Sequence, residues 1–174
     1  MDDLGLIHLY TGCGKGKTTA AIGLMLRVLG HGGKAVLAQF LKGEHGGERE
    51  ALRGLAGARV MDLPPAVKFV FQMDETEKTA YAETVQDQFL TACDMAKDCD
   101  LLVLDEALGA IETGLLPLET VTNYLKAKPQ GLEVVLTGRV APQELKDLAD
   151  YVMRVEIEKH PYDRGVSARA GIEY

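Results

Sequence analysis

Leu6-Ile7-His8-Leu9-Tyr10-Thr11-Gly12-Cys13-Gly14-Lys15-Gly16-Lys17-Thr18-Thr19-Ala20-Ala21 is the stretch that decides the fold. An apolar run leads into a glycine-rich loop, and a helix-compatible run from Ala20 to Gly30 follows. Strand, glycine loop, helix is the context a phosphate-binding loop requires. Gly12, Gly14 and Gly16 let backbone N–H groups turn around an anion, and the helix start adds its positive dipole end. Lys17 reaches phosphate oxygens, and the Thr18 hydroxyl suits Mg²⁺. The general pattern has Gly where this chain has Thr11, and it does not demand the extra cation at Lys15. The bland alternative is an ordinary glycine turn between a strand and a helix.

Outward from the loop, strand-like and helix-like segments alternate. The first helix, about Lys17 to Gly30, is apolar on most sides, which predicts burial beside a sheet. Strands are predicted over Lys34 to Phe40, Ala58 to Leu63, Leu101 to Leu104, Leu132 to Thr137 and Tyr151 to Ile157. Helices are predicted over Glu48 to Leu55, Glu75 to Lys97, Pro117 to Lys126 and Pro142 to Ala149. Lys68 to Asp74 reads as irregular, and the tail from Glu158 as polar. The alternation implies one α/β domain spanning 1–174, P-loop NTPase-like (RecA-like), with a mostly parallel sheet covered by helices on both faces. Ligands of such sheets bind beyond the carboxyl ends of the strands. The glycine loop, Asp105-Glu106 and Gly138-Arg139 all fall at such ends.

Bulk composition narrows the function classes. A net charge of −7 disfavours a nucleic-acid partner, which needs a basic face. The apolar runs are too short to span a bilayer. The acidic Met1-Asp2-Asp3 is no secretory signal, so the expected location is the cytoplasm. Three cysteines (Cys13, Cys93, Cys99) without Cys-x-x-Cys spacing suggest neither a disulfide framework nor a zinc site. His8, His31, His45 and His160 show no metal-ligand spacing.

Asp105 and Glu106 follow a fully apolar strand, as magnesium-holding acids of P-loop proteins do, and either can hold Mg²⁺ directly or through water. The alternative is a solvent-facing pair that caps the next helix. Arg139 is a phosphate or nucleotide contact or a surface ion pair. Phe69 and Phe71 are better read as core on their own. These residues yield an Mg²⁺–nucleoside triphosphate site without specifying a reaction.

Residues 11–21, then Arg27, Gly30-His31-Gly32 and Gln39-Phe40-Leu41-Lys42-Gly43, resemble the P-loop type of ATP:corrinoid adenosyltransferase. The likeness continues in Leu104-Asp105-Glu106, Leu136-Thr137-Gly138-Arg139 and Lys159-His160…Gly165…Gly171-Ile172, in order and over nearly the whole chain. It implies an enzyme that transfers the 5′-deoxyadenosyl group of ATP to the cobalt of a reduced corrinoid and releases triphosphate. It implies ATP held in the reverse sense to hydrolases, by Gly12, Cys13, Gly14, Lys15, Gly16, Lys17, Thr18 and Thr19, with Arg139 in support. Lys17 and Glu106 become the catalytic residues, with Mg²⁺ on Thr18, Glu106 and Asp105. Phe69 and Phe71 correspond to an aromatic pair under the corrin ring, although this chain has no Trp. Thr11 matches the family's own loop. A homodimer and an electron-donating reductase are the implied partners. The rival readings are another P-loop kinase or ATPase, and a non-catalytic nucleotide- or corrinoid-binding module.

Overall fold

The computed structural model describes residues 5–42, 46–64 and 70–173. Six strands form one sheet: β1 (Ile7–Thr11), β2 (Ala35–Gln39), β3 (Ala58–Val60), β4 (Leu101–Asp105), β5 (Glu133–Thr137) and β6 (Tyr151–Arg154). Their order is β3-β2-β4-β5-β1-β6, and every neighbouring pair is parallel. Parallel neighbours need crossovers, and among the described residues six α-helices supply them. They are α1 (Lys17–Gly30), α2 (Gly47–Arg53), α3 (Glu75–Met95), α4 (Ala107–Glu112), α5 (Leu118–Ala127) and α6 (Gln143–Leu148).

The period-two alternation of the strands sorts the core onto two faces. Ile7, Leu9, Val36, Ala38, Leu102, Leu104, Val134 and Leu136 pack with α3, α4, α5 and α6 on one face. Ala35, Leu37, Leu101, Val103 and Val135 meet α1 and Leu52 of α2 on the other. Helix α3 shows why its segment is helical: Tyr81, Val85, Gln88, Phe89, Ala92 and Cys93 form its buried stripe. A reciprocal capping box starts it, with the Asp74 carboxylate accepting from Glu77 N–H at 2.8 Å.

Some boundaries differ from the sequence reading. Strand β3 stops at Val60 and β6 at Arg154, and Ala107–Glu112 is an additional helix. Helix α1 lies beside the sheet as expected, with only part of its apolar surface covered. It buries Ala21, Met25 and Val28 and leaves Leu26 48% exposed, because only its inner stripe meets the sheet. Residues 70–72 form a single 3-10 turn, and another covers Pro161–Arg164 in the polar tail.

The end of the sheet away from the glycine loop is pinned by a buried carboxylate. Glu133 Oε2 accepts from the N–H groups of Gly5 and Leu6, both at 2.8 Å, and Oε1 lies 2.5 Å from His8 Nε2. The His8 ring stacks on Tyr151 with centroids 4.5 Å apart. Burial alone would raise the Glu133 carboxyl, but the His8 bond and the two N–H donors outweigh it and hold it below the usual range. A depressed acid stabilises the fold above its unfolded value and loses that contribution as pH falls through its folded value. Glu133→Gln is therefore expected to cost about 1–3 kcal/mol at pH 7. The gap from the parent should close as pH falls below 4.5. Urea melts across that range check this.

Candidate active site

Strand register brings the carboxyl-terminal ends of β2, β4, β5, β1 and β6 side by side. Gln39 pairs with Asp105, Tyr10 with Thr137, and Thr11 with Arg154. Thr11 is the last residue of β1, and its hydroxyl donates to the Met153 carbonyl at 2.9 Å. A strand position inside the ladder does not need the positive φ that glycine supplies, so Thr is accommodated where the general pattern has Gly.

The loop glycines divide their tasks. The N–H of Gly12 donates to Arg139 O, and that of Gly14 to Val155 O, each at 2.9 Å. A Cβ on Gly12 would stand 2.2 Å from Val155 O, and its φ is 101°. These two glycines thus let the loop lie against the chain beyond β6 and β5, and their N–H groups are committed to protein. Gly16, with φ 116°, turns the chain into α1. The N–H groups of Cys13, Lys15, Gly16, Lys17 and Thr18 have no hydrogen-bond partner among the described residues. Such donors at a loop and a helix N-terminus are what an anion binds.

Three lysines surround these donors. Lys17 Nζ donates to the Gly14 carbonyl at 2.9 Å. Lys15 Nζ is 3.1 Å from Glu173 Oε1, a contact made by the returning tail. Lys42 Nζ is 2.6 Å from Asp105 Oδ2. A cavity of about 380 Å³ opens between the loop and the tail, lined by Lys15, Thr18, Thr19, Lys42, Ile172 and Glu173 among others. Cys13 is exposed, so its place in the loop makes its backbone the relevant part.

Asp105 is fully buried and saturated with donors. Thr137 Oγ1 donates to it at 2.6 Å, Thr18 Oγ1 at 2.9 Å and Gln39 Nε2 at 3.1 Å. The Gln39 carbonyl oxygen in turn accepts from buried Arg49 at 3.0 Å. Glu106 adopts a left-handed backbone, φ 60°, and its N–H donates to the same Thr137 hydroxyl at 2.9 Å. A non-glycine residue in that region is strained, and such strain is concentrated at functional sites. Burial pushes the Glu106 carboxyl up and the Asp105 charge adds to this, while Lys42, Lys17 and Arg139 pull it back. Gly138 permits the close approach of α4 that fixes Glu106: a Cβ there would lie 2.5 Å from Leu108 Cβ.

The structure therefore gathers the loop, Asp105, Glu106 and Arg139 at one end of the sheet. Arg139 braces the loop through its carbonyl, and its side chain is exposed. Phe71 is 83% exposed, so it is not a core residue. Phe69 lies outside the described residues. No described group of three or more His, Cys, Asp or Glu is arranged to hold a metal ion by itself.

This arrangement is that of a P-loop protein, and comparison with known proteins names the branch. The family described as "ATP:corrinoid adenosyltransferase BtuR/CobO/CobP" matches residues 3–174. The chain belongs to this family. The corrinoid adenosyltransferase of Escherichia coli (strain K12) is 36% identical over 174 residues, which cover 99% of this chain and 87% of the relative. Corrinoid adenosyltransferase CobA of Salmonella typhimurium (strain LT2) is also 36% identical, with the same two coverages of 99% and 87%. The corrinoid adenosyltransferase of Pseudomonas aeruginosa is 32% identical over 176 residues, covering 99% of this chain and 85% of its own. Family membership makes the chain a transferase, and neither a kinase, an ATPase nor a non-catalytic module is favoured. Among the described residues no helix is long and apolar enough to cross a membrane.

Lys42, Gln39, Thr137 and Glu173 were not singled out by residue chemistry in the sequence. The first three stood inside stretches that carried the family likeness. Glu173 follows Gly171-Ile172, and nothing in a polar tail signals that it returns to the loop.

Proposed function

We propose that this chain transfers the 5′-deoxyadenosyl group of ATP to the Co(I) centre of a reduced corrinoid, in the biosynthesis or salvage of adenosylcobalamin. Family membership supports the reaction. The observation that carries the residue-level reading is the cluster of unclaimed N–H groups on Cys13, Lys15, Gly16, Lys17 and Thr18 beside the Lys17 ammonium and the Thr18–Asp105 pair.

Co(I) attacks the ribose C5′. The cobalt–carbon bond forms as C5′–O5′ breaks, and the electron pair leaves on triphosphate. Negative charge grows on the leaving group, so fixed donors around it lower the barrier. The loop N–H groups, Lys15 and Lys17 would do this, with Arg139 nearby. The residues present fit a magnesium ion: an ammonium group already stands between the Thr18 hydroxyl and the Asp105 carboxylate. Thr18, Asp105 and Glu106 would hold the metal, which when bound supplies further neutralisation of the triphosphate charge. The reading extends to a cytoplasmic homodimer and to a reductase that delivers the electron to Co(II).

The test is incubation with ATP, Mg²⁺ and chemically reduced cobalamin. The expected result is the visible spectrum of a cobalt–carbon product and one triphosphate per turnover. Phosphate release with an unchanged cobalamin spectrum would overturn it.

Phe71 is proposed to pack, with Phe69, against the lower face of the corrin and keep an axial donor from cobalt. Losing that donor makes Co(II) easier to reduce. Because Phe71 is 83% exposed, Phe71→Ala should leave the melting temperature of the ligand-free protein nearly unchanged. A phenyl group buried against a ligand is worth about 1.5–3 kcal/mol, so activity starting from Co(II) should fall about 10- to 100-fold. Activity with ready-made Co(I) should fall much less, and equal losses in the two assays would remove Phe71 from this role.

A further inference from the structure

Lys42 occupies the place a metal ion would take. Its ammonium group lies 2.6 Å from Asp105 Oδ2 and 3.2 Å from Thr18 Oγ1. The Thr18 hydroxyl also donates to Asp105, at 2.9 Å to Oδ1 and 3.2 Å to Oδ2, and the Asp105 side chain has no exposed surface. The Lys42 side chain is only partly exposed, at 29%. The approach is built by the backbone: Leu41, just before it, takes a left-handed conformation with φ 56° while its side chain packs on the core. A strained residue held by packing fixes the direction in which the next side chain leaves.

An ammonium group and a divalent ion cannot share that position. Two like charges at such a separation repel strongly where water is excluded. The site is also poor in ligands for a bare metal. It offers two carboxylates and a hydroxyl, whereas a hard cation needs about six oxygens, which phosphate and water must complete. Charge counting points the same way. Lys42 already pairs with Asp105, and Lys42, Lys17 and Arg139 all act on Glu106, so a bare dication would enter a site that holds its own cations. A metal–triphosphate unit is net negative and gives a displaced ammonium group a new partner.

We propose that Lys42 is the internal counter-ion of the ligand-free site: it excludes free divalent metal and yields its position only to metal that arrives with the triphosphate. Lys42 is thus a positioning residue that couples metal entry to nucleotide entry. The inference rests on reading Thr18, Asp105 and Glu106 as the metal ligands.

Titration with Mn²⁺, followed by electron paramagnetic resonance, tests it on the parent and on Lys42→Met, each with and without ATP. The parent should bind Mn²⁺ tightly only with ATP. Lys42→Met should bind Mn²⁺ without nucleotide about tenfold or more tightly than the parent. It should also regain with Mn²⁺ the melting temperature it loses when Asp105 is left without a counter-ion. Lys42→Arg keeps the charge and should still exclude free metal. Should Lys42→Met not fold, Lys42→Gln keeps a donor toward Asp105, removes the charge and carries the same expectation. If the parent binds Mn²⁺ with ATP, but the neutral variants bind free Mn²⁺ no better than the parent, the inference fails and the metal reading stands. If the parent takes up no Mn²⁺ even with ATP bound, the metal reading falls and this inference falls with it.

Discussion

Lys17→Ala is expected to fold normally and to lose on the order of 10²–10³ in adenosyl transfer at saturating ATP and Mg²⁺. In the ligand-free protein Lys17 does little for the fold. It is the first residue of α1, its N–H is unclaimed, and its ammonium group bonds a single loop carbonyl, that of Gly14. Removing that bond costs the fold little, since one hydrogen bond contributes about 0.5–1.5 kcal/mol net. The loss falls on the reaction. The whole triphosphate departs in one step, and Lys17 is a cation at the junction of the loop and the helix that carry the unclaimed donors. An interaction that strengthens as the leaving group takes up charge lowers kcat as well as kcat/KM. Melting temperature and single-turnover rates with preformed Co(I) separate the two effects. Near-normal turnover at saturating ATP, with an unaltered melt, would mean that Lys15 or the loop N–H groups carry the leaving charge without Lys17.

The fold was legible because its strands are buried on both faces. Leu101-Leu102-Val103-Leu104 reads as a continuous apolar run and Leu132 to Thr137 as a largely apolar one, as parallel central strands do, and both became strands of the sheet interior. Helix α4 was not legible. It is only six residues long and carries a glycine, so no period of 3.6 could develop before Glu112 ended it. Helix α1, apolar on most sides in sequence, does lie beside the sheet, yet composition does not say how many layers lie above a helix, and here Leu26 faces outward. The site was legible in its chemistry and not in its wiring. Glycine spacing and strand-end acids marked the loop, Asp105 and Glu106. Which glycine N–H groups remain unclaimed depends on Arg139 and Val155, which are more than a hundred residues away in sequence. The link from Lys42 to Asp105 likewise depends on β2 lying beside β4, a crossover that no local pattern reveals.

Glu106→Gln should separate the fold from the metal requirement. Glu106 sits in a strained left-handed turn, held by the Thr137 hydroxyl below it and by the close packing of α4 at Gly138. Burial and the neighbouring Asp105 charge raise its carboxyl above the usual range, so the ligand-free fold opposes its ionisation more than water does. A raised acid stabilises the fold below its unfolded value and loses that contribution as pH rises through its folded value. At neutral pH the ionised carboxylate is therefore a liability to the empty protein, and a carboxamide of the same shape is not. The variant should melt at least as high as the parent at pH 7 to 8. Its transfer rate at a fixed, moderate Mg²⁺ concentration should fall about 10²-fold, because a metal ion held there would supply several kcal/mol of charge stabilisation. Raising Mg²⁺ should recover part of that loss, since Asp105 and Thr18 remain. A group that weakens the empty protein and strengthens the loaded one is one whose charge is kept for its ligand. An unchanged magnesium dependence together with a lower melting temperature would reverse this assignment, making Glu106 a structural cap on α4 and leaving Asp105 as the acid that holds the metal.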